Sequence, residues 1–164
     1  MQIFRQIKVG DQLPDTSLGI LIREMPEGIK LHDLIRGRNV VIVGLPGAFT
    51  PSCSRLHLPD MIENAGRLRE AGIDDILCIS TNDPWVLRVW ASGFGEVPVT
   101  FLSDGNLEFT QLCGLSAPVF DRFLGIRSNR YLMVVRNTIL QRLNIETDPF
   151  AVTCTRAGAI LADA

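Results

Sequence analysis

Four cysteines, at positions 53, 78, 113 and 154, and two histidines, at 32 and 57, are the side chains of this 164-residue chain best suited to redox or nucleophilic chemistry. No two of the cysteines form a CxxC pair, which argues against a structural zinc site and against a thioredoxin-like dithiol. Free cysteine is among the most buried residue types, so each thiol has to be weighed against plain packing. Cys53 stands apart because of the segment that carries it, Gly44-Leu45-Pro46-Gly47-Ala48-Phe49-Thr50-Pro51-Ser52-Cys53-Ser54. A buried strand ends at Leu45, the Pro46-Gly47 pair turns the chain, and Pro51 sits where a helix begins. Cys53 is then in the first turn of that helix, just beyond the carboxyl end of a strand, where ligand crevices of open α/β sheets form. Unpaired N–H groups and the positive end of the helix dipole favour a thiolate there, and such positions bring a cysteine pKa from about 8.5 to between roughly 3.5 and 7.5. Thr50 can either cap the helix or hold a substrate oxygen. His57, one helical turn after Cys53, raises a Cys–His hydrolase as an alternative, although i,i+4 neighbours on one short helix more often point along its surface than at each other.

These side chains need a scaffold, and the hydrophobic pattern supplies one. Val40 to Leu45, Ile76 to Ser80, Val99 to Leu102 and Tyr131 to Arg136 are short, largely apolar runs rich in β-branched residues, as expected of strands buried on both faces; Ile139 to Ile145 adds a fifth. Helical patterns lie between them: Met61 to Ala71, with Asp60 as N-cap after Pro59; a helix capped by Asn82 or Asp83 with Pro84 in its first turn; one starting at Asp104 or Asn106 and running to Gly114; and a last one from Thr155 to Ala162. Alternating strands and helices predict a single α/β domain over residues 1–164, a central sheet with helices on both faces. Arg136-Asn137-Thr138 predicts an antiparallel hairpin, and Lys8 to Ile22 reads as short peripheral strands.

Composition narrows the function. Sixteen basic against eighteen acidic residues, a net charge of -2, give no footprint for nucleic acid. The longest uncharged stretch, Asn39 to Ser54, is broken by Gly44, Pro46, Gly47 and Pro51 and is not a membrane span. Met1 to Gln6 shows neither an apolar signal region nor an Arg/Ser-rich leader, so the expected compartment is the cytoplasm, or an organelle after removal of a leader, where thiols stay reduced unless they work.

The pattern Pro46-x-x-x-Thr50-x-x-Cys53 and the longer string from Pro46 to Ser54 resemble the active-site motif of the peroxiredoxin family, specifically its type II subfamily. Lys8-Val9-Gly10-Asp11, His57-Leu58-Pro59, Ser80-Thr81-Asn82-Asp83 and Arg127-Ser128-Asn129-Arg130-Tyr131 extend the resemblance along most of the chain. It implies a thioredoxin-like fold and thiol-dependent reduction of hydrogen peroxide and organic hydroperoxides, with neither metal nor organic cofactor. It also implies roles. Cys53 is the peroxidatic nucleophile, Arg130 rather than Arg127 is the active-site arginine, Thr50, Gly47 and the Cys53 N–H cradle the peroxide, and Pro46 shields the sulfur. The sulfenic acid formed on Cys53 must then meet a second thiol. The resemblance matches Cys154, on a C-terminal segment expected to move cheaply, to the resolving position of animal-type members, and Cys78, inside a central strand, to that of plant-type members. Cys154 is the favoured thiol, Cys78 the alternative and an external thiol such as glutathione a third route, while Cys113 matches no resolving position. Thioredoxin, glutaredoxin or glutathione is the implied reductant, and residues flanking the Thr50 and Asn82-Asp83 loops can form a homodimer interface. His32 reads as a solvated or capping residue, and Trp85, Trp90 and Phe120 as core or subunit contacts. A redox sensor that passes oxidation from Cys53 to a partner protein is the non-enzymatic alternative.

Overall fold

The computed structural model describes residues 5–163; the leaderless reading of Met1 to Phe4 lies outside them. A hairpin comes first, β1 (Ser17–Ile22) and β2 (Met25–Lys30), turning at Arg23 and Glu24, both at positive φ. One helical turn, α1 (Leu31–Ile35), leads to β3 (Asn39–Leu45). The chain then winds through a π-helical turn, Cys53–His57, directly into α2 (Leu58–Glu63) and, after a break at Asn64, α3 (Ala65–Glu70). β4 (Asp75–Ser80), α4 (Pro84–Ser92), β5 (Thr100–Ser103) and α5 (Glu108–Leu112) follow. Two three-residue strands, β6 (Ser116–Pro118) and β7 (Ile126–Ser128), pair with each other as a separate ribbon. The hairpin β8 (Tyr131–Arg136) and β9 (Ile139–Ile145) and the short helix α6 (Gly158–Leu161) come last.

The main sheet has the order β2-β1-β5-β4-β3-β8-β9. Its centre, β3, β4 and β5, is parallel, and the flanking pairings are antiparallel. Alternation along the central strands sorts their side chains into two cores. Val40, Ile42, Leu77, Ile79 and Met133 pack with Leu31, Ile35 and Phe109 on one face. Val41, Val43, Ile76, Cys78 and Leu132 pack with Leu58, Met61, Leu68, Leu87 and Trp90 on the other, the face that also receives Cys53. Burial on both faces is why these strands read as nearly continuous apolar runs rather than as alternating ones.

Several elements depart from the sequence expectation. The helix after Cys53 does not start at Asp60: it is already formed at Pro51, and Pro59 lies inside it. Proline there removes an N–H and crowds the carbonyl four residues back. The π-turn just before it, closed by the Leu58 N–H on the Cys53 carbonyl, widens the backbone where that crowding falls. The last helix covers only Gly158–Leu161, shorter than the expected run from Thr155 to Ala162, and the N–H groups of Thr155 and Ala157 just before it go to the side chains of Glu146 and Asp60. Strand β2 and helix α1 carry no sequence signal strong enough to be foreseen. By contrast Asp83 caps α4, accepting the Val86 N–H at 2.9 Å, with Pro84 in the first turn.

Gly44 is fixed by a close approach. It pairs with Tyr131 across β3 and β8, and a Cβ added to it would lie 2.0 Å from Tyr131 Cε1, inside the ring's van der Waals surface. Gly66, in α3, has nothing within 4 Å of the same added atom. Gly44→Ala should therefore destabilise the fold by about 2–3 kcal/mol through overpacking, whereas Gly66→Ala should stabilise it by roughly 0.5–1 kcal/mol; urea unfolding of the two variants beside the wild type measures both.

Candidate active site

β3 delivers the chain to the site, and Asn82, after β4, holds the turn that follows. The Asn82 side-chain oxygen accepts the Ala48 N–H at 2.8 Å and the Ser80 hydroxyl at 2.7 Å. Pro46, Gly47 and Ala48 are buried beneath this tie, while Phe49 stands out into solvent at φ 64°, a left-handed conformation uncommon for a bulky residue and of the kind found at functional turns. Thr50 does not cap the helix with its side chain. Its hydroxyl donates to the Gly47 carbonyl at 2.7 Å, which leaves the oxygen's lone pairs free to accept.

Cys53 lies at the base of this turn with no exposed surface. Arg130, immediately before β8, is equally buried, and its Nη2 donates to Cys53 Sγ at 3.2 Å. The other guanidinium nitrogens are also engaged: Nη1 meets His57 Nδ1 at 2.9 Å and Nε donates to the Pro149 carbonyl at 3.1 Å. Arg127 is in a different situation, half-buried with Nε on the Leu124 carbonyl at 2.7 Å, and its Nη1 lies beside Gly47 at the rim of the turn.

His57 departs from its sequence reading. It is fully buried rather than lying along the helix surface. An arginine can only donate, so Nδ1 is the acceptor and Nε2 carries the hydrogen, which goes to the Thr155 carbonyl at 2.9 Å. Burial, and then the adjacent Arg130 charge, bring its pKa down to about 3, so the ring is neutral at physiological pH. Both ring nitrogens are taken, and no basic nitrogen is left to activate Cys53 as in a Cys–His hydrolase. His57 holds Arg130 in place. His32, read as a solvated or capping residue, is largely buried, with Nε2 2.7 Å from the Leu13 carbonyl.

The remaining thiols occupy distinct environments. Cys78 shares the core face of Cys53 inside β4, and burial, followed by the nearby Cys53, pushes its thiol far above the usual range. Cys113 belongs to the opposite face, where burial pushes it up to about 12. Cys154 is exposed, on an irregular strap between β9 and α6. Burial and then the Glu146 carboxylate raise its pKa. The strap is not loose, contrary to the sequence expectation: the Phe150 carbonyl accepts the Ser52 hydroxyl at 2.6 Å, the Thr155 carbonyl holds His57, and the Ala157 N–H donates to Asp60 at 2.7 Å. Sequence reasoning missed this network because carbonyl acceptors leave no residue-type signature.

Protonation of His57 makes a stability prediction. The folded protein takes that proton only near pH 3, whereas the unfolded chain takes it near 6.5, so the unfolded state binds more protons below 6.5 and stability falls as the pH is lowered. The loss amounts to at most ~1.4 kcal/mol per pH unit until the folded-state value is passed. His57→Gln removes this contribution, so its unfolding free energy should fall less steeply than that of the wild type between about pH 6 and pH 4. Urea titrations across that interval read the two slopes; parallel slopes would mean that buried His57 is not neutral.

Comparison with known proteins identifies the family. The family model described as Redoxin matches residues 8–159. Peroxiredoxin-2C of Oryza sativa subsp. japonica is 42% identical over 142 residues, covering 85% of this chain and 88% of that protein. The chloroplastic Peroxiredoxin-2E-2 of the same species is 41% identical over 148 residues, covering 85% of this chain and 65% of that longer protein. The crystal structure of reduced Prx3 from Vibrio vulnificus in complex with hydrogen peroxide superposes with a TM-score of 0.90 at 34% identity, over 96% of each chain. The chain belongs to the peroxiredoxin family and is a thiol-dependent peroxidase.

Proposed function

We propose that Cys53 is the peroxidatic residue and Arg130 the group that stabilises its reaction. The observation that carries this is the 3.2 Å contact between two fully buried partners, Arg130 Nη2 and Cys53 Sγ. The Cys53 thiolate attacks one peroxide oxygen, an S–O bond forms as the O–O bond breaks, and water or an alcohol leaves after taking up a proton. Arg130 presents a fixed charge and planar donors beside the thiolate and where negative charge builds on the leaving oxygen. Thr50, with lone pairs still free, accepts a hydrogen bond from the hydroperoxide O–H and orients the substrate, Gly47 leaves room for it, and buried Pro46 keeps bulk water off the sulfur.

Resolution then requires a thiol to displace hydroxide from the sulfenic sulfur, which takes up a proton and leaves as water while a disulfide forms. Cys154 is the thiol we assign. It is exposed and lies outside every strand, whereas Cys78 is locked in the ladder between β3 and β5. An external dithiol such as thioredoxin or glutaredoxin, or glutathione, returns the enzyme to its reduced state. Four free thiols suit a reducing compartment, cytoplasmic or organellar, and some of the relatives are chloroplastic. Exposed Phe49 and Trp85, beside the Thr50 and Asn82-Asp83 loops, are the apolar side chains that a homodimer contact would cover.

Two measurements test the assignment. Cys53→Ser should abolish peroxide turnover, and Arg130→Met should slow it by about a hundredfold or more while Arg127→Met has a much smaller effect; equal losses at the two arginines would remove the assignment of Arg130. After one equivalent of peroxide, non-reducing peptide mapping should show Cys53 joined to Cys154, and a Cys53–Cys78 peptide or only a glutathione adduct would refute that pairing.

A further inference from the structure

The strap that carries Cys154 is clamped by one side chain. Glu146 is buried directly after β9, and its carboxylate receives five hydrogen bonds from three consecutive residues. Oε1 accepts the N–H groups of Thr153 at 2.6 Å, Cys154 at 2.9 Å and Thr155 at 3.1 Å, together with the Thr155 hydroxyl at 2.9 Å. Oε2 accepts the Thr153 hydroxyl at 2.6 Å. Burial acts to raise the pKa of this carboxyl, but the hydrogen bonds from Thr153, Thr155 and Cys154 outweigh it and hold the value at about 2.

The clamp closes a ring through the active site. The Glu146 N–H donates to the Arg130 carbonyl at 3.0 Å, so the two residues are cross-strand neighbours. From the Glu146 carboxylate the contacts run to Thr155, from the Thr155 carbonyl to His57 Nε2, from His57 Nδ1 to Arg130 Nη1, and from Arg130 Nη2 to Cys53 Sγ. Both ends of Arg130 thus depend on Glu146, the backbone directly and the guanidinium through Thr155 and His57. Cys154 sits between the two clamped threonines, and the neighbouring carboxylate disfavours its thiolate, the form that attacks sulfur.

We propose that Glu146 is a positioning residue that sets the balance between the two half-reactions: it fixes Arg130 for the oxidation of Cys53 and restrains Cys154 from the resolving step. This rests on the assignments of Cys53, Arg130 and Cys154 above. In the oxidation step Glu146 touches neither sulfur nor peroxide and acts through Thr155 and His57. In the second step Cys154 must leave the clamp to reach the sulfenic acid, forming the disulfide and releasing one water, and its departure carries the Thr155 carbonyl away from His57. Resolution therefore dismantles the support of the arginine that promoted oxidation.

Rapid mixing with hydrogen peroxide separates the steps. In a Cys154→Ser background, where no internal resolution occurs, Glu146→Gln should slow Cys53 oxidation about tenfold, a loss of the size that misplacement of a charged donor produces. In an Arg130→Met background the same substitution should have no further effect on oxidation, since Glu146 acts through that arginine. With Cys154 present, Glu146→Gln should form the Cys53–Cys154 disulfide several-fold faster than the wild type. An unchanged oxidation rate in Glu146→Gln, or losses that simply multiply with Arg130→Met, would overturn the positioning role. Slower disulfide formation would overturn the restraint. Absence of a Cys53–Cys154 disulfide from the wild type would refute the pairing and the restraint together, while the oxidation rates would still decide the positioning role. Should Glu146→Gln fold poorly, Thr155→Val, which keeps the carbonyl and deletes one donor to the clamp, reads the same rates.

Discussion

A guanidinium sealed from water is costly unless its charge is answered, and Arg130 is sealed completely. Among the described residues no ion pair involves it; its donors meet a carbonyl, a neutral imidazole and a sulfur. A carboxylate within reach would have satisfied the charge and spent it. Neutral acceptors satisfy the donors' geometry while leaving the positive field at the Cys53 end of the pocket, where the leaving oxygen of a peroxide would take on negative charge. The neutrality of His57 belongs to the same design, because a protonated imidazole would lose the lone pair that Nη1 needs and would set two cations against each other in a closed space. Burial and the arginine itself depress the basicity of that ring, so the arrangement maintains its own protonation state.

Holding such a group also explains why the chain after β9 is irregular. A helix or strand there would commit its carbonyls to backbone ladders. Instead the carbonyls of Pro149, Phe150 and Thr155 face Arg130, Ser52 and His57, three side chains of the site, and that of Cys154 accepts from Asn144. The N–H groups of the same segment go to Glu146 and Asp60. One stretch of backbone thus serves as a second wall of the active site, and its irregularity is the condition for that service.

The central strands were legible because they are buried on both faces: β8 runs as its β-branched and apolar content suggests, and β3 to β5 differ only by a residue or so at their ends, while the edge strand β9, mostly half-buried, was legible from its apolar residues and the hairpin turn before it. The edge strand β2, with Pro26, Glu27 and Gly28 in six largely exposed residues, shows no such pattern. Cys53 was legible from the strand–turn–helix context, and Arg130 only by family resemblance, since in isolation it looks like a surface charge. The role of Glu146 was hidden by a register shift. A bulge between β8 and β9, opposite Val134 and Val135, displaces the pairing by one residue. A regular hairpin from the Asn137-Thr138 turn would put Ile145 across from Arg130; the bulge puts Glu146 there. His57 was misjudged because its neighbourhood is a π-turn, and surface arguments drawn from regular helix spacing do not carry over to one.

The same geometry ranks the four thiols. The sheet lies between Cys113 and Cys53, so those sulfurs belong to different cores. Cys78 faces the Cys53 side, yet it pairs with Val43 on one neighbour and Phe101 on the other, so advancing it would break two ladders and open the packing beneath the site. Cys154 is held by contacts of another kind, chiefly hydrogen bonds from its strap to side chains, which come apart without disturbing a strand. Under the proposed pairing, a thiol that must stay clear while the peroxide is cleaved and arrive afterwards needs such a restraint, ordered enough to keep Arg130 in place and separable enough to be broken once per turnover.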